Sequence, residues 1–180
     1  MNYYRKRFLP LLGITILLGA CFNLKQPSHK MEFYTLEYDP PQLINLTPLP
    51  CIITVERFSA APEYNSNRII YRDKSFKRDT YVYYRWRADP ADLVTSFLSR
   101  DTQQSGLFKA VLPYDSRLPA SFLLEGSVDE FLENDTEEGW EAVLSVSITF
   151  MGGNEPDGDK KVLFSVLFSQ HHALSLLFHE

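Results

Sequence analysis

Basic residues are outnumbered in this chain: 18 Lys and Arg stand against 23 Asp and Glu, a formal charge of −5. Nucleic-acid binding leans on clustered Lys and Arg, so an acidic chain argues against it. Cysteine is scarce as well, with Cys21 and Cys51 alone in 180 residues and no CxxC pair, which leaves nothing from which to build a cysteine zinc site. The amino-terminal apolar run, Phe8 to Leu18, breaks at Cys21 to Lys25; a spanning helix needs roughly 20 apolar residues, so this one is too short. Also missing are a glycine-rich phosphate loop, a Ser, His and Asp arrangement, and a His near Cys51. No constellation therefore supplies a nucleophile with its base, and the chain is read as no enzyme, with neither metal nor cofactor. No internal repeat is present.

What is present at the amino end is an export signal in the usual order. Arg5, Lys6 and Arg7 form a basic region, Phe8 to Leu18 an apolar core, and Leu18-Gly19-Ala20-Cys21 follows. That tetrapeptide resembles the lipobox of bacterial lipoproteins, with Gly19 where Ala or Ser is usual. The resemblance implies cleavage between Ala20 and Cys21 and a diacylglyceryl group on the Cys21 thiol. Residues 1–20 are then a signal peptide, and 21–31, polar and containing Pro27 and Ser28, a tether. Each buried methylene of an acyl chain contributes ~0.8 kcal/mol, so more than one chain holds a body to a membrane without a protein helix. Processing removes three basic residues and no acidic one, taking the formal charge from −5 to −8. Cys51 is left without a disulfide partner; opening the apolar run Cys51-Ile52-Ile53, it reads as a buried structural thiol ahead of a reactive one.

Residues 32–180 suit one domain with one core. Phe33 to Tyr38 reads as a short strand, followed by surface chain in which Pro40, Pro41, Pro48 and Pro50 exclude a central strand. Cys51 to Phe58 is β-branched and apolar, and Ser59-Ala60-Ala61-Pro62 ends its pairing. Arg68 to Arg72 and Tyr81 to Trp86 form a hairpin around the charged turn Asp73 to Asp79. Asp89 is expected to cap a helix with its carboxylate, Pro90 fits the first turn, Leu93, Val94, Phe97 and Leu98 recur at helical spacing, and Gly106 stops it. Leu107 to Pro113 and Phe122 to Phe131 are further strands. Glu141 to Phe150 alternates apolar and polar residues most clearly, and Lys161 to Ser169 is its expected partner across the turn-rich Gly152 to Gly158. The fold class is α+β: a mixed or mainly antiparallel sheet with helix packed on one face.

With these segments placed, the chain resembles the ABC-type transport auxiliary lipoprotein family, which includes the lipoprotein partner of paraquat-inducible MCE transporters. The matching stretches run from the lipobox to about Phe131. They are Phe33-Tyr34-Thr35-Leu36, Val55-Glu56-Arg57-Phe58, Pro62-Glu63-Tyr64 and Arg68-Ile69-Ile70-Tyr71-Arg72. After these come Trp86-Arg87-Ala88-Asp89-Pro90, Ser105-Gly106-Leu107-Phe108-Lys109-Ala110-Val111 and Leu124-Glu125-Gly126-Ser127-Val128-Asp129-Glu130-Phe131. The resemblance implies a non-catalytic accessory of an envelope lipid-transport system, partnered by an MCE-domain protein and ABC transporter subunits, with a homo-oligomeric collar as a candidate arrangement. Phe22, where Asp would signal inner-membrane retention, implies the outer membrane facing the periplasm. The alternative is a stand-alone periplasmic ligand-binding or structural lipoprotein.

The carboxyl end departs from the family pattern, which adds an Ala- and Leu-rich helix after the last strand. Here His171 to Phe178 has room for a few turns at most, and the chain is read either as ending naturally or as truncated or frame-shifted. A missing helix is expected to expose Val162, Phe164 and Val166 or their opposite-face neighbours.

Tyr81, Tyr83, Tyr84 and Trp86 are the candidate partner interface, since aromatic side chains bury much area with little rotamer entropy; the competing reading buries these rings on the two faces of a sheet. The acidic run Asp129, Glu130, Glu133, Asp135, Glu137 and Glu138 reads as a solvated hairpin end ahead of a calcium site. His171 and His172 are adjacent and diverge on either a helix or a strand, which keeps them from sharing a metal.

Overall fold

The computed structural model describes residues 29–41, 47–153 and 161–173. Among them nine strands and one α-helix follow one another as β1 (Glu32–Tyr34), β2 (Leu49–Val55), β3 (Ser59–Ala60), β4 (Arg68–Arg72), β5 (Arg78–Trp86), α1 (Pro90–Gln104), β6 (Phe108–Pro113), β7 (Phe122–Asp135), β8 (Trp140–Gly152) and β9 (Val162–Ala173). This is a strand-rich α+β domain with a single helix, and no helix follows β9 among the described residues. Nor is any described helix long and apolar enough to cross a membrane. Cys21, Ala20, the signal region and most of the tether lie outside the described residues, as do 154–160 and 174–180.

The sheet is mixed and organised around β7. One side of that long strand is lined in succession by β2, β3 and β4, all parallel to it, and the other pairs antiparallel with β8, which in turn pairs antiparallel with β9. β6 lies parallel beyond β2, and β5 and then β1 lie beyond β4. Alternation along β8 explains its place. Leu144, Val146, Ile148 and Phe150 join the cluster reached by Val94 and Leu98 of the helix, while Ser145, Ser147 and Thr149 project to the other face.

Two apolar clusters hold the layers together. One gathers Tyr64, Ile70, Leu93, Val128, Phe131, Leu132 and Val143; the other gathers Ile53, Val55, Phe58 and Val146. Helix α1 buries Pro90, Ala91, Leu93 and Thr95. Its start differs from expectation in one respect: Asp89 occupies the N-cap, but its carboxylate makes no capping bond, and its backbone carbonyl accepts the Leu93 amide at 2.9 Å. With Pro90 at the first position, one of the orphan amides is already absent. Gly106, at φ 66°, supplies the left-handed residue past the helix end.

Four further expectations are corrected. Ser59 and Ala60 do not end pairing; they form β3 beside Ser127 and Val128 of β7. Pro50 lies inside β2, a strand flanked on both sides. It is accommodated because a register shift between Leu49 and Ile52 falls there and pairing with β7 begins only at Ile53, so its missing amide proton leaves no ladder bond open. Phe33 to Tyr38 keeps strand geometry only to Tyr34. His171 to Ala173 belong to β9, because pairing with Val143, Ala142 and Glu141 supplies the backbone partners that an isolated short helix lacks.

Candidate functional site

The four aromatic residues proposed as a partner interface sit on β5, where the register against β4 jumps between Arg68 and Ile70. This irregularity aims neighbouring side chains away from simple alternation and splits the group. Tyr81 packs 4.9 Å from Tyr71 and 5.6 Å from Tyr84, and its hydroxyl donates to Glu133 at 2.7 Å. Burial, reinforced by that bond to a carboxylate, holds the Tyr81 hydroxyl well above its ordinary pKa. Tyr84 also meets Tyr34 of β1 edge-on at 5.8 Å. Trp86 belongs to the core, edge-to-face with Phe131 at 5.1 Å. The surface thus retains Tyr83 and Tyr84, 41% and 37% exposed, with Val82 at 65%. Neither the interface nor the buried-ring reading describes all four residues: two are anchors and two are accessible.

The acidic run is dispersed by its partners. Glu130 lies 3.4 Å from Arg78 and 3.7 Å from Arg72, and Arg78 also pairs with Glu63. Asp129 accepts the Ser127 and Ser147 hydroxyls at 2.8 and 2.5 Å. Glu137 and Glu138 are exposed at the β7–β8 turn. Among the described residues no three His, Cys, Asp or Glu side chains gather as a metal ion would need. His171 lies 3.3 Å from Glu141 on the neighbouring strand, and Cys51 is half-buried in β2.

Beside this ionic group a shallow open groove of about 540 Å³ is lined by Glu56, Arg57, Glu125, Ser127, Ser147 and Thr149. The Ser127 and Ser147 hydroxyls donate to Asp129, Ser59 donates to the Gly126 carbonyl, the Thr149 and Ser165 hydroxyls share a hydrogen bond at 3.2 Å, and no imidazole lines the groove. The groove is lined mainly by polar and charged side chains.

Two tyrosines away from β5 couple stability to pH. The Tyr64 hydroxyl is buried beside the ionic group with no hydrogen bond, and burial pushes its pKa up to about 12 from 10.0. Tyr38 stacks on Phe97 at 5.3 Å beneath the Arg100 guanidinium and donates to Asp101 at 2.7 Å; burial first, then that bond, raises it to about 12. A folded pKa above the unfolded one means the folded state keeps its proton longer. The associated stability is intact below pH 10 and is lost as pH rises toward 12. Urea midpoints followed across that range are expected to fall. Tyr64→Phe removes an unsatisfied buried hydroxyl, so it is expected to raise stability at neutral pH by about 1 kcal/mol and to flatten part of the alkaline fall. A stability loss at neutral pH in this variant would show that the hydroxyl has a favourable role.

The carboxyl-terminal strand is exposed on both of its faces. Every residue of β9 is exposed, and Val162, Leu163, Phe164, Val166, Leu167 and Phe168 are each 47–65% accessible. The expected exposure of Val162, Phe164 and Val166 is therefore present together with that of the opposite face. Val162 to Ala173 contains no charged residue other than its two histidines and no proline, which is the pattern that identifies an unprotected edge.

No protein-family model matches the chain, and no curated protein matches it. Solved structures do share its fold. The crystal structure of protein XCC0632 from Xanthomonas campestris, described under the family model DUF330, superposes with a TM-score of 0.67 at 18% identity, covering 78% of this chain and 77% of that one. The crystal structure of an uncharacterized protein gives 0.55 at 13% identity over 80% of each chain. The hypothetical protein CT253 from Chlamydia trachomatis gives 0.51 at 9% identity over 70% of this chain and 74% of that one. At these identities the likeness is one of fold alone.

Proposed function

We propose that the chain is a lipoprotein accessory subunit of an ABC/MCE-type lipid-transport system, held by acyl chains on Cys21 at the periplasmic face of the outer membrane and acting by docking to a periplasm-spanning partner. The observation that carries the docking role is β9: a fully exposed, almost uncharged strand edge bearing six large apolar side chains. Large apolar side chains left exposed along an edge strand mark an interaction surface. Support for the address comes from Arg5 to Cys21, and support for the system from the ordered motifs between Phe33 and Phe131.

In this reading the chain's residues do no bond chemistry. The tether gives the body reach from the membrane, the β7-centred sheet makes it rigid, and the β9 edge with Tyr83 and Tyr84 offers contact area. Replacing Cys21 with serine removes the thiol that would carry the acyl chains. Cys21→Ser is expected to abolish incorporation of labelled palmitate and to lower the membrane-bound fraction at least tenfold, because a body without acyl chains has no anchor. Unchanged labelling in Cys21→Ser would sink the lipoprotein reading. Co-purification of the wild-type chain with an MCE-domain protein from detergent-solubilised envelopes tests the partner. A monomer that extracts lipid without any such protein would favour the stand-alone alternative instead.

A further inference from the structure

We propose that β9 pairs with β9 of a second copy, joining two sheets into one continuous sheet across a two-fold axis at Leu167. This rests on the docking role above and deepens it by naming the occupant of the edge.

Three observations carry the inference. The first is area. Half-exposed as they are, the six large apolar residues of β9 present on the order of 600 Å² per copy; an edge pairing covers the flanks of these side chains, which stand on the two sheet faces, together with the strand backbone, an interface smaller than the roughly 800 Å² per partner of a standard one.

The second is self-complementarity. A two-fold axis perpendicular to a sheet keeps corresponding faces on the same side, so facing residues must share the same parity along the strand. With the axis at Leu167, Leu167 faces Leu167 of the partner subunit, Val166 faces Phe168 of the partner subunit and Ser165 faces Ser169 of the partner subunit. Over these five central positions apolar meets apolar and hydroxyl meets hydroxyl; further out, Phe164 faces Gln170 of the partner subunit, Leu163 faces His171 of the partner subunit and Val162 faces His172 of the partner subunit, so the match is centred on Leu167. Such a ladder forms on the order of ten backbone hydrogen bonds, the number typical of a whole interface.

The third is charge. A body with a surplus of acidic residues repels its own copy wherever carboxylates face one another, but β9 carries none. The edge also lacks the lysines, prolines and inward-pointing charges by which other proteins prevent such pairing. The apolar face is continuous with the core through the stacked rings Phe122, Phe150 and Phe164, with centroids 5.2 and 5.3 Å apart. The dimer would therefore extend an existing hydrophobic layer.

Directly facing antiparallel residues have Cα atoms about 4.5 or 5.5 Å apart, both within reach of a disulfide. In the full chain with Cys51→Ser, Leu167→Cys is expected to convert at least half of the chains to a disulfide dimer under mild oxidation in native envelopes. Val82→Cys, matched to it at 65% exposure but on β5, is expected to stay at the baseline of the Cys51→Ser parent. Leu167→Lys, placing two like charges on the axis, is expected to sediment as a single chain with unchanged circular dichroism. Equal cross-linking at residues 82 and 167, or none at 167, overturns the dimer, and so does a Leu167→Lys protein that keeps its fold and its dimeric mass. If Leu167→Cys fails to cross-link while the wild-type chain still co-purifies with an MCE-domain protein, the dimer falls and the transport reading stands. A cross-link without that co-purification leaves the dimer and removes the transport partner.

Discussion

Replacing Gly126 with alanine is expected to destabilise the protein by about 3 kcal/mol or more, at the upper end of what overpacking a core produces. Gly126 lies near the middle of β7, opposite Ile148. A Cβ built there runs into the Ser147 carbonyl oxygen and the Phe58 ring. Neither obstacle yields cheaply. The carbonyl belongs to the partner strand's backbone, and the ring is in the buried cluster with Ile53, Val55 and Val146. Since a small domain is typically stable by about 5–15 kcal/mol in total, the variant is expected to lose much of its margin. Urea denaturation is the measurement, with a lowered midpoint and an unchanged slope as the expected result. Adding Phe58→Leu relieves the ring contact alone, so rescue is expected to be partial. A Gly126→Ala protein with the wild-type midpoint would show that β7 and β8 do not approach one another as described.

Thr95→Val is expected to cost about 2 kcal/mol although it barely changes volume, because it leaves a buried donor unsatisfied. The Thr95 hydroxyl accepts the Phe58 amide at 2.9 Å and donates to the Ala91 carbonyl at 2.7 Å. It thereby ties α1 to the corner between β2 and β3, where the Phe58 amide has no ladder partner. Thr95→Ser keeps the oxygen and loses a methyl group, so a loss of no more than about 1 kcal/mol is expected. Equal losses in the two variants would mean that packing, and not the hydrogen bond, is what Thr95 contributes. Both residues lie within segments that carry the family resemblance or the helix, yet neither Gly126 nor Thr95 has any periodic signal that marks it as critical. Their importance comes from what crosses above them.

The same distinction runs through the surfaces. Tyr81, Tyr83, Tyr84 and Trp86 form one aromatic run in the chain, and local pattern has no means of sorting them. The register jump between β4 and β5, together with Phe131 and Glu133 arriving from far along the chain, makes Trp86 and Tyr81 anchors and leaves Tyr83 and Tyr84 accessible. The acidic run was legible as a hairpin end only at Glu137 and Glu138, because Arg72 and Arg78, which claim Glu130, lie some fifty residues earlier.

By itself the sequence determined the elements whose signals are local. Proline at the first helical position and glycine past the last turn bound α1, strict alternation marks β8, and the charged turn closes the β4–β5 hairpin, since capping, periodicity and turn geometry act within a few residues. Only the tertiary structure decided that β2, β3 and β4 line up in succession along one side of β7, that Pro50 fits beside a register shift, and that Ser59 and Ala60 pair at all. Parallel pairing joins segments far apart in the chain and leaves no local mark. It also decided that, among the described residues, β9 pairs with β8 alone, because whether an apolar strand is core or edge depends on how many neighbours reach it.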